Sequence, residues 1–193
     1  MTDLFLVRHG ETKWSRSGQH TSITDLPLTD HGREEAKALD GWLDTNDFGL
    51  VLASPRRRAQ ETARLAGFHN FEVDDDLAEW FYGDYEGITS EQVHKAVPDW
   101  QIWTHGVPGG ETADQVRERV RRVVKRVQES GVEKAIVFAH GHSLRALTTV
   151  WLELPITLGA SFPLNTASLS VLGRYHDRPA VLHWNLTRAV ASE

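Results

Sequence analysis

Two short apolar runs, each cut off by a His-Gly pair, constrain this chain more than any other feature. Leu4-Phe5-Leu6-Val7 runs into Arg8-His9-Gly10, and Ala135-Ile136-Val137-Phe138-Ala139 runs into His140-Gly141-His142. Continuous apolar runs of this length read as strands buried on both faces. Such strands belong in a mostly parallel sheet covered by helices, which predicts a single three-layer α/β/α domain over residues 1–193, with the two runs as neighbouring strands. In open α/β sheets, ligands bind outside the carboxyl ends of the strands. One strand ending in polar residues is ordinary; two that deliver imidazoles to the same edge point to a site.

The residue types suggest which ligand. A guanidinium grips phosphate through its planar fork, and a neutral imidazole nitrogen can act as a nucleophile. Gly10 removes a side chain where the backbone passes close to a ligand. The net charge is −6, which argues against non-specific nucleic-acid binding. A phosphate site must therefore build positive potential from its own Arg and His. The chain has no cysteine, which excludes a disulfide framework and zinc-thiolate sites and is compatible with the cytosol. No apolar run approaches the roughly 18 residues of a membrane span, and the first one stops at Arg8, too short for a signal-peptide core. A cytoplasmic protein without a membrane partner is expected.

Residues 14–28 read as a loop of donors, among them Ser15, Gln19, His20, Thr21 and Ser22. Thr29 is a good N-cap for a helix carrying Ala36, Leu39, Trp42 and Leu43, and residues 48–53 read as a strand. Ser54-Pro55-Arg56-Arg57-Arg58 then starts a helix whose N-terminus is an anion site in its own right. Cations there oppose the macrodipole, a cost that a phosphate partner would offset; a solvated basic turn is the alternative for Arg56 and Arg57. A short strand is expected over 71–73. After it, Glu79 precedes Trp80-Phe81-Tyr82, and a carboxyl desolvated by aromatic rings is kept protonated enough to act as an acid. Residues 89–96 suit a short helix, 100–112 an aromatic loop forming the upper wall of the pocket, and 113–130 an amphipathic helix with a Val stripe. A helix over 143–152 should turn its N-terminus to the ligand, and two final strands, 167–172 and 180–186, read as a hairpin.

Arg8-His9-Gly10 with His140-Gly141, and the spacing Ser54, Arg58, Thr62, resemble the histidine phosphatase superfamily in its phosphoglycerate-mutase-like branch. The resemblance runs from about Leu4 to Arg145. It implies the phosphoglycerate-mutase-like fold and a phosphohistidine on His9, with Arg8, Arg58 and His140 around the phosphoryl group and Glu79 as general acid and base. It also implies substrate contacts from Ser15, Thr21, Gly141 and His142. Residues 17–29, 79–87 and 138–145 look like acid phosphatases and sedoheptulose-1,7-bisphosphatases of that superfamily. Phosphoglycerate mutases usually carry Asn where this chain has Ser15, and an Arg-rich insertion after the 79–87 segment that is missing here.

The expected function is hydrolysis of small phosphomonoesters, sugar phosphates or bisphosphates included, with no cofactor and no metal, since Arg8 and Arg58 supply the positive charge. The expected partner is a small phosphorylated metabolite, with no nucleic acid and no membrane; a homodimer stays open. The alternatives are a phosphoglycerate mutase, distinguished by its product, and a non-catalytic phospho-ligand binding module, which would need neither a nucleophile nor an acid.

Overall fold

The computed structural model describes residues 2–188; the ends of the expected 1–193 domain, residue 1 and residues 189–193, lie outside them. The chain runs through β1 (Asp3–Arg8), α1 (Lys13–Ser17), α2 (Asp30–Lys37), β2 (Leu50–Ala53), α3 (Arg57–Leu65) and β3 (Glu72–Val73). It continues through α4 (Ser90–Ala96), α5 (Ile102–His105), α6 (Ala113–Glu129), β4 (Lys134–Ala139), α7 (Gly141–Trp151), β5 (Leu169–Tyr175) and β6 (Arg178–Leu186). One six-stranded sheet has the order β3-β2-β4-β1-β5-β6. The first four strands in that order are parallel. β5 lies antiparallel to β1, and β6 closes the hairpin, so the sheet is mostly parallel with an antiparallel edge.

Side chains on a strand alternate between faces, and that alternation builds the two outer layers. Leu4, Leu6, Ala135, Val137 and Ala139 point to one face and join Val116, Val120 and Val123 of α6 and Leu144 and Leu147 of α7. Val7, Ile136 and Phe138 point to the other, against Ala59 and Ala63 of α3 and Leu39. β4 lies between β2 and β1 with residues 135–139 fully buried, which is why its sequence is apolar without a break.

Register then places the site. Leu4 pairs with Ala135 and Arg8 with Ala139, so His9 and His140 each stand one residue past the last pair, side by side at the carboxyl edge. The loop after His9 is held by a close backbone crossing. A Cβ on Gly32 would lie 2.1 Å from Glu11 O, and one on Gly10 2.3 Å from Gly32 O, so only glycine fits at either position.

Several elements differ from expectation. Residues 14–28 contain a short helix, α1, because Thr12 and Ser15 cap each other reciprocally. The helix after Thr29 stops at Lys37; three tight turns follow, and Gly41 takes φ 68°. α3 begins at Arg57, leaving Pro55 before the helix, and α7 begins two residues earlier than expected. Residues 100–112 include the one-turn α5. Among the described residues, no helix is long and apolar enough to cross a membrane.

Candidate active site

The rings of His9 and His140 stand 5.1 Å apart, centroid to centroid. His9 Nδ1 lies 2.8 Å from the carbonyl of Gly10. A carbonyl can only accept, so Nδ1 carries the proton and the lone pair sits on Nε2. Burial, with the Arg58 and Arg8 guanidiniums adding to it, holds the His9 pKa well below the ordinary imidazole value, so the ring is neutral. The loop is fixed in turn: Gly10 N–H donates to Thr62 Oγ1 at 3.0 Å, and Thr62 Oγ1 donates to Arg58 O at 2.7 Å.

His140 is wholly enclosed. Arg58 Nε donates to its Nδ1 at 3.2 Å. Its Nε2–H must therefore be the donor to Ser54 Oγ, 2.7 Å away. Burial first, then Arg58, keep this imidazole well below its usual pKa as well. The other Arg58 donors hold a loop, reaching Thr24 O and Thr21 O at 3.1 Å each. Ser54, Arg58 and Thr62, spaced four apart, thus brace both His-Gly strands. The structure places neither Arg58 nor His140 on the cavity wall, so direct contact with a ligand requires one of these bonds to exchange. The N-terminus of α3, expected to meet a phosphate, meets the Asp25 carboxylate, which accepts from Arg57 N–H at 3.0 Å.

Glu79, 7% exposed, performs the same service for α7. Its Oε1 accepts from Trp80 N–H and Ser143 N–H at 2.8 Å each, and its Oε2 from His142 N–H at 3.0 Å. The first-turn donors of α7 are thus taken by a side chain of the protein rather than left for a ligand. The segment carrying Glu79 is clamped from behind by Arg119 of α6, which donates to the carbonyls of Asp76 and Ala78 and pairs with Glu111 at 2.7 Å.

A cavity of about 210 Å³ opens where these groups meet. Arg8, His9, Ser15, Thr21, Glu79, Gly141 and His142 of the expected set line it, as do His20, Tyr82 and Arg145. Arg8 donates through Nη1 to Leu164 O at 2.5 Å, but its Nε–H is buried and has no partner. Arg8 and Glu79 both lie over Gly141: a Cβ there would meet Arg8 Cζ at 3.6 Å and Glu79 Oε2 at 3.8 Å, ordinary contact distances. The Ser15 hydroxyl is engaged in the α1 capping box. His142 is caged by Trp80, Trp103 and Tyr82, with Tyr82 Oη 2.6 Å from its Nδ1. Burial pushes the His142 pKa well down and the Tyr82 phenol well up, so both are neutral. Residues 100–112 do not line the cavity; Trp103 backs it from behind His142. Arg145 was not anticipated from sequence. Its signal was its place four residues after Gly141, on the same face of α7. Among the described residues, no three His, Asp or Glu side chains converge as a metal-ligand set.

Comparison with known proteins agrees with this geometry. The family model described as the histidine phosphatase superfamily, branch 1, matches residues 4–187. An acid phosphatase of Mycobacterium tuberculosis is 45% identical over 177 residues, 90% of this chain and 87% of that one. Sedoheptulose 1,7-bisphosphatase of Saccharomyces cerevisiae is 35% identical, covering 78% of this chain and 68% of its own length. More distant relatives include a 2,3-bisphosphoglycerate-dependent phosphoglycerate mutase of Parvibaculum lavamentivorans, 31% identical over 75% of this chain and 77% of that one. The solved structure of a Mycobacterium tuberculosis open reading frame superposes with a TM-score of 0.92 at 40% identity, covering 96% of this chain and 98% of that one. With a family-model match over residues 4–187 and the acid phosphatase relative at 45% identity, and with paired His-Gly strands at one cavity, the chain belongs to the histidine phosphatase superfamily, branch 1, and is a phosphatase of that family.

Proposed function

We propose that this protein hydrolyses small phosphomonoesters without a metal, through a phosphohistidine on His9. The observation that carries the reading is His9 itself, pinned through Nδ1 beside an Arg8 whose buried Nε–H lacks an acceptor. A phosphoryl oxygen would supply that acceptor. His9 Nε2 then attacks phosphorus in line; the P–N bond forms as the P–O bond to the alcohol breaks, and the arginines carry the oxygen charge. Both lone pairs of Glu79 Oε1 are taken by N–H groups and only one of Oε2, so Oε2 is the oxygen with a position left to exchange a proton with the substrate. It protonates the departing alkoxide. In the second half, the Glu79 carboxylate takes a proton from water as the water oxygen attacks phosphorus. The P–N bond breaks, His9 regains its lone pair, and inorganic phosphate leaves.

Water as acceptor is favoured over a second phosphoglycerate by Ser15 standing where the mutases carry Asn, and by the missing Arg-rich insertion. A chain without cysteine acting on small metabolites fits a cytoplasmic enzyme that needs no nucleic acid or membrane. The test is rapid quench with a ³²P-labelled alkyl phosphate. Acid-labile, base-stable label should appear on His9 and be absent from His9→Ala, with inorganic phosphate as product. Label on another residue, or an isomeric phosphate ester as product, overturns the proposal.

A further inference from the structure

Arg8 has to hold its guanidinium still with open space beside it. It lines the catalytic cavity of about 210 Å³ and, with Ser15, also borders a second hollow of about 450 Å³. Hydrogen bonds must therefore do part of what packing does in a filled core. Three of them come from residues 164–168, just before β5. Leu164 O accepts from Arg8 Nη1 at 2.5 Å, Ser168 O accepts from Arg8 N–H at 3.3 Å, and Ala167 N–H donates to His9 O at 3.1 Å.

That segment is itself strained. Ala167 takes φ 45°, a left-handed conformation that a residue with a Cβ keeps only where its surroundings hold it. On one side Asn185 Oδ1 holds the segment, accepting from Asn165 N–H at 2.7 Å. On the other, the Thr166 hydroxyl donates to Glu35 Oε1 of α2 at 2.9 Å. The second oxygen of Glu35 accepts at 2.7 Å from the N–H of Glu11, in the loop that leaves His9. One carboxylate thus clamps the two segments between which Arg8 and His9 stand.

Glu35 is not spent on a close ion pair. Its side chain is 17% exposed, and its ion-pair neighbour among the described residues, the exposed His31, stays 3.6 Å away. A carboxylate withdrawn from water to meet two neutral donors is a costly brace. Its position gives that cost a use, because Glu35 borders the same hollow as Arg8. Burial lowers the Arg8 pKa, and Glu79, Tyr82 and Glu35 oppose that shift.

We propose that Glu35 is a positioning residue for phosphoryl transfer: through Thr166 and residues 164–168 it fixes where the Arg8 guanidinium meets the phosphoryl oxygens. The proposal rests on the phosphatase reading of the site, in which Arg8 carries oxygen charge.

A double-mutant cycle on p-nitrophenyl phosphate tests it. Glu35→Ala removes both bonds, and Thr166→Val only the one that reaches residues 164–168. Each should lower kcat/KM roughly 10- to 100-fold, the scale on which a misplaced group costs rate. Glu35→Gln should recover most of the loss, since its oxygen can accept from Glu11 N–H and its NH₂ can donate to the Thr166 hydroxyl. In an Arg8→Lys background, which keeps the charge but has no Nη1 to misplace, the same two changes should cost less than about 3-fold. Equal factors in both backgrounds overturn the proposal, because a brace that only stabilises the fold costs as much with Lys as with Arg. A Glu35→Gln enzyme as slow as Glu35→Ala overturns it too. If Glu35→Ala does not fold, Thr166→Val decides alone. Calorimetric titration with inorganic phosphate runs the same cycle on binding. Coupled binding losses in a protein that hydrolyses nothing would sink the phosphatase reading and leave the positioning role standing. Additive losses beside normal turnover would sink the positioning role alone, and a wild type that neither binds nor hydrolyses would sink both.

Discussion

Replacing Glu79 with Gln separates the acid role from the structural one. In the wild type the carboxylate accepts three backbone N–H groups, two on Oε1 and one on Oε2. An amide has one oxygen. Placed towards Trp80 and Ser143, it keeps two of the three bonds and turns its NH₂ against His142 N–H, donor to donor. The opposite flip loses two bonds, so the first is preferred. The expected stability loss is that of one buried donor left unsatisfied, about 1–3 kcal/mol, read by urea denaturation. The loss in chemistry is larger. Removing a general acid costs roughly 10²- to 10⁴-fold, or about 3–5 kcal/mol of barrier.

Single-turnover measurement of the phosphorylation step on two substrates tells these apart. Propyl phosphate releases a basic alkoxide and should show the full loss. On p-nitrophenyl phosphate, whose leaving group needs little help from a proton, the same step should suffer far less. A distorted α7 N-terminus would slow both alike, because it moves His140 and the cavity wall whichever alcohol leaves. Equal losses on the two substrates therefore refute Glu79 as the proton donor.

Four further outcomes are expected. His9 and His140 are buried and neutral with lowered pKa values, so the unfolded chain binds more protons than the native one below the free imidazole pKa of about 6.5; stability should be full above that pH and fall as pH drops through it towards the folded values, by at most about 1.4 kcal/mol per group per pH unit, a slope that thermal unfolding between pH 8 and 5 measures. The same neutrality should keep the acid limb of kcat/KM well below pH 6.5, and a limb at 6.5 or above would contradict it. Thr62→Val removes the acceptor of the Gly10 N–H, which should cost about 1–3 kcal/mol and lower phosphorylation of His9 by loosening its loop, as burst kinetics would record. Activity should survive dialysis against EDTA and be inhibited by vanadate, whereas a requirement for an added divalent ion would reverse the reading of the charge supply.

The parts of this fold legible in the sequence are those set by local pattern and burial. β1 and β4 announce themselves because a strand enclosed on both faces has no polar positions, and their register follows from the matching His-Gly ends. α6 shows its Val stripe. α1 was not visible because its capping box runs Thr12 to Ser15, without the Glu or Gln that usually marks the motif. The early end of α2 depends on Gly41, which an apolar periodicity continuing to Leu43 conceals. Of the residues that line the cavity, Arg8, His9, Glu79, Gly141 and His142 could be read from motifs. The occupants of the helix N-termini could not. Asp25 closes α3 from 32 residues away, and Glu79 closes α7 from 64 residues away. Both are loop closures that leave no trace in spacing, and both replace an expected ligand with a side chain of the protein.

Those closures sharpen the case against a simple binding module. Arg58 and His140 are tied to one another and to Ser54, and two helix ends are already filled. Among the polar groups left at the cavity are the lone pair on His9 Nε2 and the one free position on Glu79 Oε2, with the buried Arg8 Nε–H and His20 Nδ1 lacking partners beside them. Donors suit a phosphate; a lone pair does not, because phosphate oxygens are themselves acceptors. A protein selected only to hold phosphate would gain from a cationic His9, whose second N–H would add a charge-assisted bond. Here burial and two guanidiniums keep that ring neutral, and the Gly10 carbonyl fixes the tautomer that bares Nε2. On the proposed phosphohistidine route, this arrangement would weaken binding of the anion and present a nucleophile to its phosphorus, favouring the transition state over the bound ground state.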